Sequence, residues 1–249
     1  LIPTLPVAGE GRFTRAFLAQ HEAEFDRAFS LLADDISRQT YLDVLRFKVG
    51  GDPEFLFACH REKAEVYRDL LPLGEEETFV DLGAYDGDTI REFLAATAGR
   101  YRRIYALEPD ARNFKKLLRS TAGLPRVDCR NQAAWSGSET LLFSGGGRGS
   151  RSKQGGVAVQ AAALDAWLPE PVTLLKMDVE GSESRALSGA RETIRRDRPK
   201  LYVCAYHRHE DLFALPLQIH SYVPEYRFFF RQHPYLPAWE SNFYARTPE

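Results

Sequence analysis

Cysteine is scarce, with three among 249 residues. Cys59, Cys129 and Cys204 stand far apart and include no CxxC spacing. Neither a disulfide framework nor a zinc site is therefore expected, and a reducing compartment fits. Methionine occurs once, at Met177, so the chain starts without an initiator and is expected to be a processed or excised segment. No apolar run approaches the roughly 20 residues that span a membrane. The leading LIPTLPVAGEGRF lacks a basic stretch followed by an apolar core of the kind signal peptides carry. A cytoplasmic protein with no membrane partner is expected. An excess of one charge is missing as well: 33 Lys and Arg stand against 35 Asp and Glu, for a formal net charge of -2. That balance argues against a surface that coats nucleic acid.

What is present is enough apolar residue, 44% of the chain, to build a real core. Phe17, Leu18, Phe25, Phe29 and Leu32 recur at three- and four-residue intervals, as do Tyr41, Leu42, Leu45 and Val49, which predicts helices from about Phe13 to Leu71. Gly50-Gly51-Asp52-Pro53 interrupts them. After Glu75-Glu76-Glu77 the pattern changes to short apolar runs alternating with amphipathic stretches. Strands are expected at 79–82, 103–107, 127–134, 174–179 and 201–206, and helices at 89–98, 111–120 and 183–195, with a further helix beginning near His209 and Glu210. Such alternation implies a doubly wound α/β domain on a mostly parallel sheet. Aromatic-rich segments at 226–231 and 242–246 predict an antiparallel edge. Two domains are expected: a helical cap over 1–74 and an α/β domain over 75–249. Ser144 to Gly156, SGGGRGSRSKQGG, predicts a loop, whose Arg148, Arg151 and Lys153 suit closure over a phosphate or carboxylate.

The stretch TFVDLGAYDGDT, residues 78–89, reads as a buried strand that breaks into a helix, the junction at which open α/β sheets place ligands. Gly83 and Gly87 flank Ala84-Tyr85-Asp86, a GxxxG spacing that is not the dinucleotide fingerprint GxGxxG. Glycine lets backbone approach a ligand closely and adopt conformations a side chain would forbid. Asp81, Asp86 and Asp88 crowd the turn with negative charge, which opposes a diphosphate and suits a cation. Glu108 ends the next strand, in IYALEPD, 27 positions after Asp81, where a carboxylate accepts both hydroxyl hydrogen bonds of a ribose. That signal identifies a nucleoside and leaves its kind open.

These residues carry a resemblance. FVDLGAYDGDT (79–89), YALEPDARNFKKL (105–117), AAWSG (133–137), LKMDVEGSE (175–183) and AYH (205–207) followed by EDL are similar to the FkbM-type family of S-adenosylmethionine-dependent methyltransferases. So are SRQTYLDVLRFKVGGD (37–52) and YRFFFRQH (226–233). The third glycine common in the first turn of methyltransferases is Tyr85 here. The resemblance implies a Rossmann-like class I fold, S-adenosyl-L-methionine as cofactor and oxygen as the methyl acceptor. It places Asp81 and Gly83 under the methionine moiety, Glu108 on the ribose diol, and Gln132 and Ala133 at the adenine edge through main-chain amides. Tyr85, between Gly83 and Gly87, either packs locally or offers its ring to the sulfonium.

Methyl transfer needs an acceptor held in line with the departing sulfur, and a hydroxyl acceptor must also lose a proton. The tips of the later strands supply KMDVEG and YHRHED. Asp178 is a candidate to orient the acceptor, act as base or bind a divalent metal. Glu180 either shares that work or meets the following helix dipole. His207 is the first choice for general base. A Mg²⁺ site from Asp178, Glu180 and His207 is the less favoured alternative, and no metal is assigned. The expected partner is a small-molecule or saccharide acceptor, with a homo-oligomer left open. Two other functions compete: a catalytically inert nucleoside-binding partner subunit, and an NAD-dependent oxidoreductase, which the missing GxGxxG opposes.

Overall fold

The computed structural model describes residues 12–143 and 157–248. Two compact units divide the chain: a middle unit, Pro72–Leu201, and a terminal unit built from Leu1–Leu71 and Tyr202–Glu249. Among the described residues, no helix is long and apolar enough to cross a membrane.

The terminal unit begins with α1 (Arg15–Gln20), α2 (Glu22–Ser30) and α3 (Asp35–Gly50). Asp34 caps α3 by accepting from Ser37 N at 2.6 Å, and Gly51, at φ 72°, ends it in the left-handed conformation that favours glycine. The glycine pair therefore stops a helix where the sequence implied a break. Next come α4 (Glu54–Cys59) and α5 (Lys63–Glu65), which runs into one π-helical turn, Val66–Leu70.

The middle unit contains β1 (Thr78–Leu82), α6 (Asp88–Ala96), β2 (Arg103–Leu107), α7 (Ala111–Ser120), β3 (Val127–Arg130), β4 (Ala133–Ala134), β5 (Glu139–Phe143), β6 (Val157–Ala162), β7 (Leu174–Met177), α8 (Glu183–Gly189) and α9 (Arg191–Asp197). The chain then enters β8 (Lys200–Cys204), whose first two residues close this unit. β1 is buried along its whole length and runs parallel to β2 on one side and β7 on the other, while β3 extends the parallel set beyond β2. Lys200 N donates to Thr173 O, which aligns the start of β8 with that of β7. A strand buried on both faces explains the continuous Thr-Phe-Val run, and Phe79 packs on Phe93 of α6 at 4.8 Å between ring centroids.

Two expected elements divide. The strand anticipated at 127–134 is β3, paired with β2, and β4, which joins β6 and β5 in a separate three-stranded sheet. The hairpin of β5 and β6 was not foreseen. The helix anticipated at 183–195 is α8 and α9, broken at Ala190. Asp165 causes the break: its carboxylate accepts from Glu192 N and Thr193 N at 2.9 and 2.8 Å, starting a new helix.

Back in the terminal unit, α10 (Asp211–Tyr222) begins next to His209 and Glu210 as expected, and β9 (Arg227–Gln232) and β10 (Ser241–Arg246) form the expected antiparallel pair, with Phe230 opposite Phe243. Ala205 N, just past β8, donates to Ser241 O of β10. Helix α3 covers β9 through Tyr41 on Phe230, and Ser37 Oγ accepts from Phe230 N at 2.9 Å. The class is α/β on a mostly parallel sheet with an antiparallel pair, as the sequence implied.

Candidate cofactor-binding site

The tips of β1, β2 and β7 lie side by side in the middle unit, and the candidate residues there belong to three connected groups. The first is the turn after β1. Gly83, Tyr85 and Gly87 all have positive φ, at 85°, 47° and 86°. A Cβ on Gly83 would stand 1.8 Å from Asp178 O, so it is the tail of β7 that demands glycine here. Of the two reasons the sequence offered for glycine, a conformation forbidden to a side chain is met by its φ of 85°. A Cβ on Gly87 would stand 2.6 Å from Ser120 Oγ. Four of the turn's amides are already committed. Gly83 N and Ala84 N both donate to Leu107 O at 2.9 Å, and Gly87 N donates to Ala84 O at 2.7 Å. Tyr85 N donates to Glu108 Oε2 at 2.9 Å. A diphosphate cradle needs such amides free, and these four are not available to one.

Glu108 is the second group. It is buried, and its two oxygens accept from Tyr85 N and from Asp110 N at 2.8 Å. Each oxygen keeps a further lone pair for a hydroxyl. Burial pushes this carboxyl up to about 7, against the pull of the two amides. Asn131, which the sequence reading passed over, donates through Nδ2 to Glu108 O and Pro109 O at 2.8 and 3.0 Å and so pins the carboxylate's main chain. Gln132 follows, its Oε1 buried without a hydrogen-bond partner among the described residues. Ala133 is buried in β4, opposite Ala161.

The third group centres on Lys176, whose role the sequence reading missed. In register with Asp81 across β1 and β7, this buried lysine places Nζ 3.1 Å from Asp81 Oδ1, 4.0 Å from Asp178 Oδ2 and 2.9 Å from Gly83 O, to which it donates. The contact with Asp81 is a buried ion pair. Burial drives the Asp81 carboxyl up to about 6 despite the lysine. The acidic turn is thus less negative than its composition implied, because Asp86 also pairs with Arg91 at 3.0 Å. Asp81 is fully buried, with Lys176 as its ion-pair partner.

Asp178 lies just past β7, its side chain 28% exposed, and its amide donates to Leu82 O. Glu180, at φ 55°, forms the bend before α8, while Glu183 reaches back to Val179 N at 2.9 Å. Glu183 is also the acid in the first turn of α8. Tyr85 is 47% exposed, and the cation over its ring is Lys116, at 5.1 Å. His207 falls in the terminal unit, buried shortly after β8 and against the ring of Tyr206 at 4.2 Å. The glycine-rich segment 144–156, with Arg148, Arg151 and Lys153, lies outside the described residues.

Comparison with known proteins agrees with this geometry. The family profile of the Methyltransferase FkbM domain matches residues 81–236, from Asp81 at the tip of β1 to Leu236 beyond β9. The chain belongs to the FkbM methyltransferase family. Among solved structures, the FkbM methyltransferase of Methylobacillus flagellatus KT is 29% identical with a TM-score of 0.81, over 92% of this chain and 60% of that one. This chain accordingly spans 60% of that relative's length. A candidate methyltransferase from Streptococcus mutans in complex with SAH shares the fold at 9% identity, with a TM-score of 0.52 over 76% of this chain and 99% of that one. No curated protein matches the sequence. The FkbM domain described here has the Rossmann-like class I methyltransferase fold.

Proposed function

We propose that this FkbM domain binds S-adenosyl-L-methionine and methylates a hydroxyl oxygen of a small molecule or saccharide. The observation that carries the cofactor reading is Glu108: a buried carboxylate at the tip of β2 with lone pairs left on both oxygens, beside a turn with four of its amides spent. Such a carboxylate suits a ribose diol, and such a turn does not suit the diphosphate of NAD. The buried, unpartnered Gln132 Oε1 suits an amino-group donor such as an adenine edge. When bound, the cofactor supplies an activated methyl carbon. Asp178, half-exposed at the tip of β7, is assigned to orient the acceptor. Proton removal is assigned to His207 on its sequence position, and oxygen as acceptor rests on the family resemblance.

Two expected outcomes test the assignments. Because the ionised Glu108 is the better acceptor for hydroxyls, affinity for S-adenosylhomocysteine should rise roughly tenfold between pH 5.5 and 7.5, as Glu108 ionises. Calorimetry should find that slope flattened in Glu108→Gln, and an equal slope in both proteins would assign the dependence to another group. The same raised carboxyl makes its contribution to folding complete below its ordinary 4.5 and lost as pH rises through about 7. For catalysis, methyl transfer from labelled cofactor to a panel of hydroxylated acceptors should reveal turnover. His207→Ala should lower that turnover roughly 100-fold or more with cofactor affinity near wild type. Full activity with an unchanged pH profile would require a different base. Tight cofactor binding without transfer to any acceptor would favour the inert partner-subunit reading.

A further inference from the structure

We infer that Lys176 is the positioning residue of this site, a single buried ammonium that fixes the Gly83 carbonyl and holds Asp81 and Asp178 together across the tips of β1 and β7. The inference rests on the cofactor reading above for what the arrangement serves, and on geometry for the arrangement itself. The lysine's neighbours in β7 are Leu174, Leu175 and Met177, all buried. A side chain needed only to fill that space would be apolar like them, because burying an ammonium costs several kcal/mol unless its partners compensate. Its partners are specific. Gly83 O lies 2.9 Å away, Asp81 Oδ1 3.1 Å and Asp178 Oδ2 4.0 Å. They are, respectively, the backbone of the ligand turn, a sealed carboxylate beneath it and a half-exposed carboxylate beside it.

Among the described residues, the other charges that act on Asp81 are acidic. Asp81 faces the lysine from β1 and Asp178 from beyond β7, Glu108 lies at the tip of β2, and Asp88 at the start of α6 acts on Asp81. Without a cation at this point the carboxylates repel one another and the more deeply buried ones take up protons. With it, Asp81 anchors the lysine from below. The ammonium in turn sets the Gly83 peptide, and Asp178 is held at the rim. Gly83 and Ala84 give their amides to Leu107 O, so the lysine's bond to the Gly83 carbonyl completes the fixing of that turn. Lys176 touches no reacting atom in this account; it acts through the groups it holds.

The test uses Lys176→Gln, which removes the charge and, one bond shorter, the reach to the Gly83 carbonyl, and Lys176→Gln with Asp81→Asn, which also removes the carboxylate left unpaired. Carboxyl-carbon NMR should find the Asp81 titration in Lys176→Gln moved up by about one unit or more from wild type. The double variant should fold with stability near wild type, yet bind S-adenosylhomocysteine roughly tenfold or more weakly, because Asp178 and the turn are no longer held. A lysine serving only to pack strands leaves the Asp81 titration in place and gives a double variant that binds like wild type, and either result overturns the inference. Wild-type protein that binds no S-adenosylhomocysteine contradicts the cofactor reading instead. In that event the Asp81 titration, which needs no ligand, still decides whether Lys176 holds the cluster.

Discussion

Gly83→Ala should destabilise the protein by about 3–5 kcal/mol, the upper end of single-substitution effects, and abolish cofactor binding with it. Two penalties add. A Cβ at this position would sit 1.8 Å from Asp178 O and 2.7 Å from the carbon of that carbonyl, backbone atoms that cannot swing aside as a side chain does. The residue is also at φ 85°, a conformation that costs any other L-residue about 1 kcal/mol. To accept the methyl group, β1 and β7 must part at their tips, which strains the bond from Asp178 N to Leu82 O and the contact of Lys176 with Gly83 O. Two other glycines separate the penalties. Gly99→Ala keeps the positive φ, 74°, but meets open space, so it should cost about 1 kcal/mol. Gly137→Ala meets neither obstacle and should fall within about 0.5 kcal/mol of wild type. Urea denaturation of the three variants checks the order. Equal stability for Gly83→Ala and Gly137→Ala would mean that the tips of β1 and β7 are not packed as described.

Glu108→Ala should weaken S-adenosylmethionine binding about 100-fold, since each hydroxyl bond to a charged acceptor contributes about 1.5–3 kcal/mol. The substitution also leaves Tyr85 N and Asp110 N without their acceptor, so stability should fall by about 1–3 kcal/mol. Two readouts are therefore needed. Calorimetry at a temperature where the variant remains folded isolates the affinity loss, and denaturation reports the loss of the two amide bonds. If affinity is unchanged while stability falls, Glu108 is a brace for the turn and no part of the ligand site.

The strand tips were legible in the sequence because each is a local event: an apolar run, then a carboxylate or glycine that a buried strand does not tolerate. Asp81, Gly83 and Glu108 emerged that way, and the positive φ values at Gly83 and Gly87 agree with the residue type. The cause at Gly83 was not legible, because its obstacle is the Asp178 carbonyl, 95 residues further along the chain. Lys176 was hidden for the same reason. Strand alternation puts residues 176 and 178 on one face, but only the register of β1 with β7 brings Asp81 to Lys176. Local pattern also ran two elements together. An apolar period alone cannot tell that Asp165 starts a new helix at Arg191, or that β4 leaves β3 to pair with β6. The turn's acidity was overread because Arg91 and Lys176, which offset it, are contributed by later segments.

The central claim is that the tips of β1 and β2 form a nucleoside site for a cationic cofactor without a diphosphate. Parallel calorimetric titration of the protein with S-adenosylmethionine, S-adenosylhomocysteine and NAD tests it most directly. Micromolar binding of the first two and none of NAD is the predicted result. Binding of NAD, or of none of the three, would contradict it.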